Sequence, residues 1–202
     1  MSRQPRGNLA RLCIGAGPEL LSRADLGASI AVMGVCLTAI GRDSLSFEAD
    51  LSLETLAKTT LGSLLPGTGL NLEPSLLAGD PMDGHVVSGH VDGVGTLLER
   101  TDSEGLWRFS YPPTLAPMLA HKGSVAIDGI SLTIADIDGH SLAVSLIPQT
   151  VASTCLKNLA SGTRVNIEAD PIGRYVARSL ALQRSERKLS DFAEKGWGEL
   201  RT

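Results

Sequence analysis

Two stretches of the chain alternate β-branched side chains with small or polar ones. Residues 28–40 read ASIAVMGVCLTAI and residues 123–137 read GSVAIDGISLTIADI, and a glycine interrupts each run. A period of two is typical of half-buried strands, and a glycine inside such a run marks a local break. The pattern therefore predicts strands in both stretches.

Shorter runs of the same kind follow each stretch, with a helical pattern between them. The predicted strands are LSFEADL (45–51), HSLAVSLI (140–147), GLNLE (69–73) and RVNIE (164–168), and the predicted two-turn helices are LETLAKTTLGSL (53–64) and PQTVASTCLKNL (148–159). Many short strands with short connections favour a small closed barrel, which also removes exposed strand edges.

The two sets of elements are copies of one another. A gapless shift of 95 residues aligns residues 27–75 with residues 122–170, and 17 of the 49 aligned pairs are identical. An internal repeat of this length indicates a duplicated structural unit. We predict an all-β chain with domains at 1–85 and 86–173, followed by a tail at 174–202.

The alignment also predicts a deficit in the first repeat. Repeat two has an upstream strand at 90–102, whose counterpart falls at positions −5 to 7. We therefore expect domain one to lack its first strand. One alternative is that the two repeats truly differ at this point. The others are that the start of the sequence is misassigned, that the sequence is truncated, or that the protein is a divergent member of its family.

Composition excludes several classes of protein. Charged residues make up 20% of the 202 residues, aromatic residues 3%, and the formal net charge is −4. Few aromatics and no basic patch make nucleic-acid binding improbable. No apolar stretch is long enough to span a bilayer, and the first residues lack the apolar core of a signal peptide. We expect a soluble cytoplasmic protein with no membrane partner.

Candidate chemistry lies on the repeated strands. Cys36 with Thr38, and Ser131 with Thr133, are two residues apart and so share a strand face. The alternative is that threonine is present only for its preference for strands. The three cysteines are widely spaced, and His85 and His90 face opposite sides of an extended segment, so we predict no metal site.

The ordered motifs GxSIAxxGxCLT, ETLxxTxLG, GHxVSGHVDGxG, KGSxAIDGxSLT and VNIExD together resemble the riboflavin synthase α-chain family over residues 10–180. The resemblance implies tandem six-stranded Greek-key barrels, a C-terminal helix and a homotrimer. It also implies dismutation of 6,7-dimethyl-8-ribityllumazine to riboflavin and 5-amino-6-ribitylaminouracil, without a cofactor. In such an assembly, the reacting pair of barrels comes from neighbouring subunits.

The resemblance also implies site residues. The catalytic candidates are Ser29, Cys36, His90 and Asp170. The substrate-binding candidates are Cys36, Leu37, Thr38, Asp50, Leu51, Ser52, Thr55, Gly89, His90, Val91, Lys122, Ser131, Leu132, Thr133, Ile147, Pro148, Gln149, Thr150, Val151 and Ala152. His90 is the candidate for moving a proton near neutral pH.

The sequence departs from the family pattern in four places. Nothing at residues 1–6 replaces the usual Met-Phe-Thr-Gly, and Met33 stands where an asparagine is usual. Asp83 replaces a glycine before Gly84, and Gln149 replaces an acid or histidine. A carrier of lumazine or flavin without turnover is therefore the alternative function, and a scaffold whose barrels bind nothing is a third.

The tail carries a helical pattern. Val176, Leu180 and Ala181 share one face, and Ser190 with Gly196 would cap and end a helix. The resemblance implies trimer contacts here but fades after Leu182, so the roles of Phe192 and Trp197 stay open.

Overall fold

The computed structural model describes residues 2–6 and 9–195, and the side chains of residues 9–184. Within these residues, twelve strands form two sheets, and a helix runs on from the end of the last strand. Repeat one contains β1 (Ser2–Arg6), β2 (Leu9–Gly15), α1 (Pro18–Leu21), β3 (Ser29–Val32), β4 (Val35–Arg42), β5 (Ser46–Ser52), α2 (Leu53–Lys58) and β6 (Leu72–Pro74). Repeat two contains β7 (Gly93–Thr101), β8 (Leu106–Ser110), β9 (Ser124–Ile127), β10 (Ile130–Ile137), β11 (Ser141–Ser145), α3 (Pro148–Ser153) and β12 (Arg164–Ala169), and α4 (Pro171–Lys195) follows.

The second repeat is a closed barrel and the first is a sheet with two ends. The barrel has the order β10-β11-β8-β7-β12-β9, whereas the sheet runs β1-β2-β5-β4-β3-β6. Each of these neighbouring strand pairs is antiparallel. The predicted mostly-β duplicated fold is therefore confirmed, with one barrel closed in the described part of the chain.

The predicted absence of a first strand needs a correction. A strand of five residues is present at Ser2–Arg6 and pairs with β2, with Ser2 opposite Cys13 and Arg6 opposite Leu9. It aligns with only the second half of β7. The first half of β7, Gly93 to Thr96, is the part that pairs with β12 and closes the barrel. Among the described residues, repeat one therefore contains a strand that corresponds to the second half of β7.

Each repeat has its own core, filled by alternate residues of its strands. In β2 the buried side chains are Ala10, Leu12 and Ile14, in the alternation expected of a strand with one buried face. In β8 the fully buried residues are Trp107 and Phe109. These clusters fix the strand register, because a slip of one residue would turn each buried side chain to the surface.

The predicted two-turn helices are each two shorter pieces. α2 is followed by a 3-10 turn at Thr60–Ser63, and α3 by one at Cys155–Asn158. Between the pieces, Thr59 and Thr154 adopt extended backbone conformations and accept hydrogen bonds from the amides of the following turns. The same threonine thus ends one helix and caps the next in both repeats.

The described part of the tail belongs to one helix. α4 runs from Pro171 to Lys195 without a break, so the predicted start at Ser190 is wrong, and Gly196 and Trp197 lie outside the described residues. Val176 and Leu180 are half exposed. No helix of the described chain is both long enough and apolar enough to cross a membrane.

The repeats meet at a pair of equivalent turns. Met33 and Gly34 both have positive φ, as do Asp128 and Gly129. A Cβ added to Gly34 would lie 2.5 Å from the Gly129 nitrogen, so the two turns touch through bare backbone. Glycine is required here both for the left-handed conformation and for the close approach.

Candidate functional site

The predicted hydroxyl and thiol groups of repeat one lie on the outer surface of β3 and β4. Ser29 is directly opposite Thr38, and Cys36 is opposite Ala31. Ser29, Cys36 and Thr38 are exposed, whereas the intervening Leu37 is 5% exposed and points into the core. We call Ser29, Cys36 and Thr38 the first face.

Repeat two carries the matching surface on β9 and β10. Ser124 is opposite Thr133, and Ser131 is opposite Ala126. Leu132, 8% exposed, takes the inward position that Leu37 takes in repeat one. We call Ser124, Ser131 and Thr133 the second face. The predicted sharing of one face by residues two apart is therefore seen in both repeats.

A single segment without helix or strand, residues 84–91, connects the two faces, and we call it the crossing segment. A Cβ on Gly84 would lie 2.6 Å from the Ser131 hydroxyl oxygen, and one on Gly89 would lie 2.6 Å from the Cys36 Cβ. The Cys36 amide donates to the Gly89 carbonyl at 2.8 Å. The two glycines therefore let the backbone rest on Ser131 and Cys36, which are equivalent positions of the repeat.

A buried carboxylate holds the crossing segment. Glu168 is 2% exposed and accepts hydrogen bonds from the amides of Ser88 (2.9 Å) and Gly89 (3.0 Å) and from the Ser88 hydroxyl. A buried charge is stable only when its oxygens are satisfied, and these three donors meet that need. The segment is thus fixed to β12 as well as to the faces.

His85 lies against the second face. It was not among the site residues predicted from the sequence. Its Nδ1 is 2.7 Å from the Ser131 hydroxyl oxygen, which also accepts the His85 amide at 3.2 Å. Nε2 is buried without a hydrogen-bond partner. Burial lowers the pKa of His85, and the charges of Asp170 and Glu168 oppose that shift. This histidine lies within the GHxVSGHVDGxG motif. Its position directly after Gly84 is the feature of the sequence that could have identified it as a site residue.

His90 is held through its backbone and leaves its side chain exposed. The Arg174 guanidinium donates to the His90 carbonyl at 3.3 Å and to both carboxylate oxygens of Asp92 at 2.9 Å. Asp170, at the start of α4, accepts the Ile172 amide at 2.9 Å. The first turn of α4 therefore positions the end of the crossing segment, next to Cys36.

Lys122 has an uncommon backbone conformation. Its φ is 63°, and its amide donates to the Ile134 carbonyl at 2.9 Å. The equivalent residue in repeat one is Gly27, with φ 87° and the matching bond to Ala39. A lysine in the left-handed region costs about 1–2 kcal/mol relative to ordinary backbone, so the side chain is kept there at a cost in stability.

Several predicted binding residues have structural roles. Arg11 donates to both carboxylate oxygens of Asp50 at 2.8 Å, and Leu51 is 1% exposed in the core. The Ser52 hydroxyl caps α2 by accepting the Thr55 amide at 3.0 Å.

The substrate-binding residues predicted at positions 147–152 lie at α3. Ile147 is 62% exposed and precedes the helix, and Pro148 is its first residue. Gln149, Thr150, Val151 and Ala152 lie within the helix, and among them Val151 packs against the core of repeat two.

The structure places the predicted catalytic residues as follows. Ser29 and Cys36 lie on the first face, and His90 follows Gly89, whose carbonyl accepts the Cys36 amide. Asp170 precedes α4; the Arg174 amide donates to its carbonyl, and its charge acts on His85. No hydrogen bond joins Asp170 to Ser29, Cys36 or His90 within the residues that the structure describes. No cluster of three potential metal ligands is found there either. One chain therefore presents two separate polar faces.

Both repeats belong to one class of domain. The lumazine binding domain family matches residues 2–75 and 88–170. The fold and the paired faces thus define a protein with tandem lumazine-binding domains.

Curated relatives narrow this class. Riboflavin synthase of Actinobacillus pleuropneumoniae is 41% identical over 177 residues, covering 87% of this chain and 82% of that one. Riboflavin synthase of Mycobacterium bovis is 42% identical over 185 residues, covering 87% and 90%. The chain belongs to the riboflavin synthase family.

Solved structures share the fold at lower identity. LumP complexed with 6,7-dimethyl-8-(1'-D-ribityl) lumazine superposes with a TM-score of 0.74 and 22% identity, covering 83% of this chain and 92% of that chain. LumP complexed with riboflavin gives the same TM-score, identity and coverage. At this identity the likeness shows the fold alone.

Proposed function

We propose that the protein is a riboflavin synthase, which transfers a four-carbon unit between two molecules of 6,7-dimethyl-8-ribityllumazine. The products are riboflavin and 5-amino-6-ribitylaminouracil, so all atoms of the two substrates are accounted for and no external oxidant is needed. The observation that carries the proposal is the identity of more than 40% to riboflavin synthases over most of both chains.

The duplicated faces support a reaction between two identical molecules. The ligand is a flat polar heterocycle with a polyol chain, which needs hydroxyl groups, backbone groups and close approach. Ser29, Cys36 and Thr38 offer these at the first face, and Ser131 and Thr133 at the second, with Lys122 at the start of β9. A first face and a second face from neighbouring subunits would hold the two lumazines against each other, in a homotrimer working in the cytoplasm.

The histidines support the proton transfers that the reaction requires. One step removes an acidic methyl proton, and another adds a nucleophile to the ring. Burial lowers the pKa of His85, which favours the neutral imidazole beside Ser131 as a candidate base. His90 follows Gly89, whose carbonyl accepts the Cys36 amide, and the Cys36 thiol is the candidate nucleophile at the first face. Asp170 and Glu168 supply negative charge near His85.

The second candidate is a lumazine or flavin carrier without turnover. The difference between the open sheet of repeat one and the closed barrel of repeat two, among the described residues, favours it. Mixing the purified protein with the lumazine separates the two functions. Release of riboflavin and the pyrimidine in equal amounts supports the synthase, and a change in ligand fluorescence without product supports the carrier.

A further inference from the structure

A groove of about 640 Å³ runs between α4 and the 3-10 turn at Pro113–Met118, and we call it the helix groove. No residue of the first or second face lines it. Its apolar walls come from both elements and consist of Ala116, Pro117, Met118, Ala177, Leu180 and Ala181. A volume of this size with apolar walls is typical of pockets that hold small molecules.

The charged residues that line the helix groove are all arginines. Arg174, Arg178 and Arg184 line it, and no carboxylate of the described side chains does. Between Pro171 and Arg184, α4 contains no aspartate or glutamate, so no acidic neighbour along the helix compensates these charges. The groove therefore concentrates positive charge on a chain whose formal net charge is −4.

Arginines elsewhere in the described chain are mostly paired with carboxylates. Those that form an ion pair are Arg11, Arg23, Arg42, Arg100, Arg108 and Arg174. Arg178 and Arg184 form none with a described side chain, and Arg164 is the other arginine in this state. The helix groove thus contains guanidinium groups that are free to bind an anion.

Arg174 and Arg178 lie one helical turn apart, so both guanidinium groups can reach the same ligand. The Nη2 atom of Arg174 makes the hydrogen bonds to His90 and Asp92, and Nη1 has no partner among the described residues. Like charges at this spacing repel each other, and a bound anion would remove that repulsion.

The helix groove lies on the side of α4 away from its most exposed apolar residues. Ile172 and Tyr175 are 72% and 77% exposed. At 3.6 residues per turn, they lie on the other side of the helix from Ala181, which lines the groove. A contact between subunits through Ile172 and Tyr175 would therefore leave the groove open.

We propose that the helix groove binds a small soluble phosphomonoester, with its phosphate held by Arg174 and Arg178 and its apolar body against Met118 and Leu180. A phosphomonoester carries nearly two negative charges at pH 7 and has three acceptor oxygens, so it can bond to two guanidinium groups at once. Inorganic phosphate would leave the apolar walls uncovered. An uncharged apolar molecule would leave the arginines without a partner.

The probe for the helix groove is 1-naphthyl phosphate, titrated into the 202-residue chain by isothermal calorimetry. We expect saturable binding, with a Kd at least roughly tenfold lower than the values for 1-naphthol and inorganic phosphate. Arg178→Gln removes a charged hydrogen-bond donor and should weaken binding by at least roughly tenfold. Arg164→Gln, at the unpaired arginine outside the groove, is the matched control and should bind like the parent.

A second pair of variants tests the location of the bound probe. Ala181 and Ser179 are both exposed positions of α4, so Ala181→Trp and Ser179→Trp should both fold. Ala181→Trp fills the helix groove and should abolish binding, whereas Ser179→Trp lies on the other side of the helix and should bind like the parent. Absence of saturable binding, unchanged affinity in Arg178→Gln, or equal binding by the two tryptophan variants overturns the proposal.

Sedimentation separates this ligand from two other occupants of the helix groove. If the parent does not bind 1-naphthyl phosphate and Ala181→Trp alone loses self-association, the groove is an interface between copies and the proposal is wrong. It is also wrong if the parent binds phosphatidic acid vesicles and not 1-naphthyl phosphate. Because no lumazine is used, the result is independent of the proposed function.

Discussion

Asn71 and Asn166, which are 95 residues apart, each reach across to the other repeat in the same way. Asn71 Nδ2 donates to the Asp128 carbonyl at 3.1 Å, and its Oδ1 accepts the Cys155 amide at 2.8 Å. Asn166 Nδ2 donates to the Met33 carbonyl at 2.8 Å, and its Oδ1 accepts the Thr60 amide at 2.8 Å. The two amide groups thus join the repeats around a pseudo-twofold axis.

Loss of these hydrogen bonds between the repeats should lower the stability of the folded protein most at Asn166. The residue is 1% exposed, so Asn166→Ala leaves the Met33 carbonyl and the Thr60 amide buried without partners. We expect the free energy of unfolding to fall by about 3 kcal/mol. Asn71→Ala, at the less buried equivalent, should cost about half as much. Urea denaturation measures both, and equal losses would contradict the role assigned to burial.

The contact between the two turns predicts a larger penalty for Gly34→Ala than for Gly67→Ala. Both glycines have positive φ, so each substitution carries about 1–2 kcal/mol of backbone strain. Only at Gly34 would the new Cβ meet the other repeat, 2.5 Å from the Gly129 nitrogen. Thermal unfolding should show a clearly lower Tm for Gly34→Ala. Equal Tm values for the two variants would mean that the turns do not touch.

Asp128 predicts a pH dependence of stability. Burial raises its pKa to about 7, although the Asn166 amide donates to it and opposes the shift. In the unfolded chain the pKa is about 3.9. Between these values the folded state keeps a proton that the unfolded state has released, so the free energy of unfolding falls as pH rises.

Replacement of Asp128 by asparagine should remove that dependence. At pH 8, Asp128→Asn should exceed the parent in stability by up to about 4 kcal/mol, and the two should converge below about pH 4. Urea denaturation across this range makes the comparison. A parent protein whose stability rises from pH 4 to pH 7 relative to Asp128→Asn would refute the assignment.

Glu168 predicts a local effect on the crossing segment. Glu168→Gln keeps one acceptor oxygen and places an amide nitrogen beside donors of Ser88 or Gly89. Hydrogen exchange at these two amides should speed up by roughly tenfold, the equivalent of about 1.4 kcal/mol. Glu73→Gln, at the equivalent exposed position, is the control and should leave this exchange unchanged. Unaltered exchange in Glu168→Gln would show that other contacts hold the segment.

The sequence predicted the duplication, the strands and the shared faces, because each is a local pattern or a comparison of the chain with itself. Glycines 84 and 89 stood in the motif, but their contacts with Ser131 and Cys36 depend on the path of the crossing segment between the repeats. The roles of Arg11 toward Asp50 and of Glu168 toward Ser88 join residues 39 and 80 positions apart. Such pairings follow from the fold and leave no periodic signal.

The sequence pattern also failed to predict that α2 and α3 each end before a separate 3-10 turn, and the reason is different. The apolar spacing is continuous across Thr59 and Thr154, so it is typical of a longer helix. The structure instead uses each threonine hydroxyl to cap a 3-10 turn. Side-chain capping of this kind competes with helix continuation and is not visible in hydrophobic periodicity.

The decisive measurement for a synthase is turnover of 6,7-dimethyl-8-ribityllumazine by the purified 202-residue chain. We expect riboflavin and 5-amino-6-ribitylaminouracil to appear in a one-to-one ratio, and Cys36→Ala and His90→Gln to lower the rate far more than Cys13→Ala does. Binding of the lumazine without release of riboflavin would contradict the claim that the protein is a synthase.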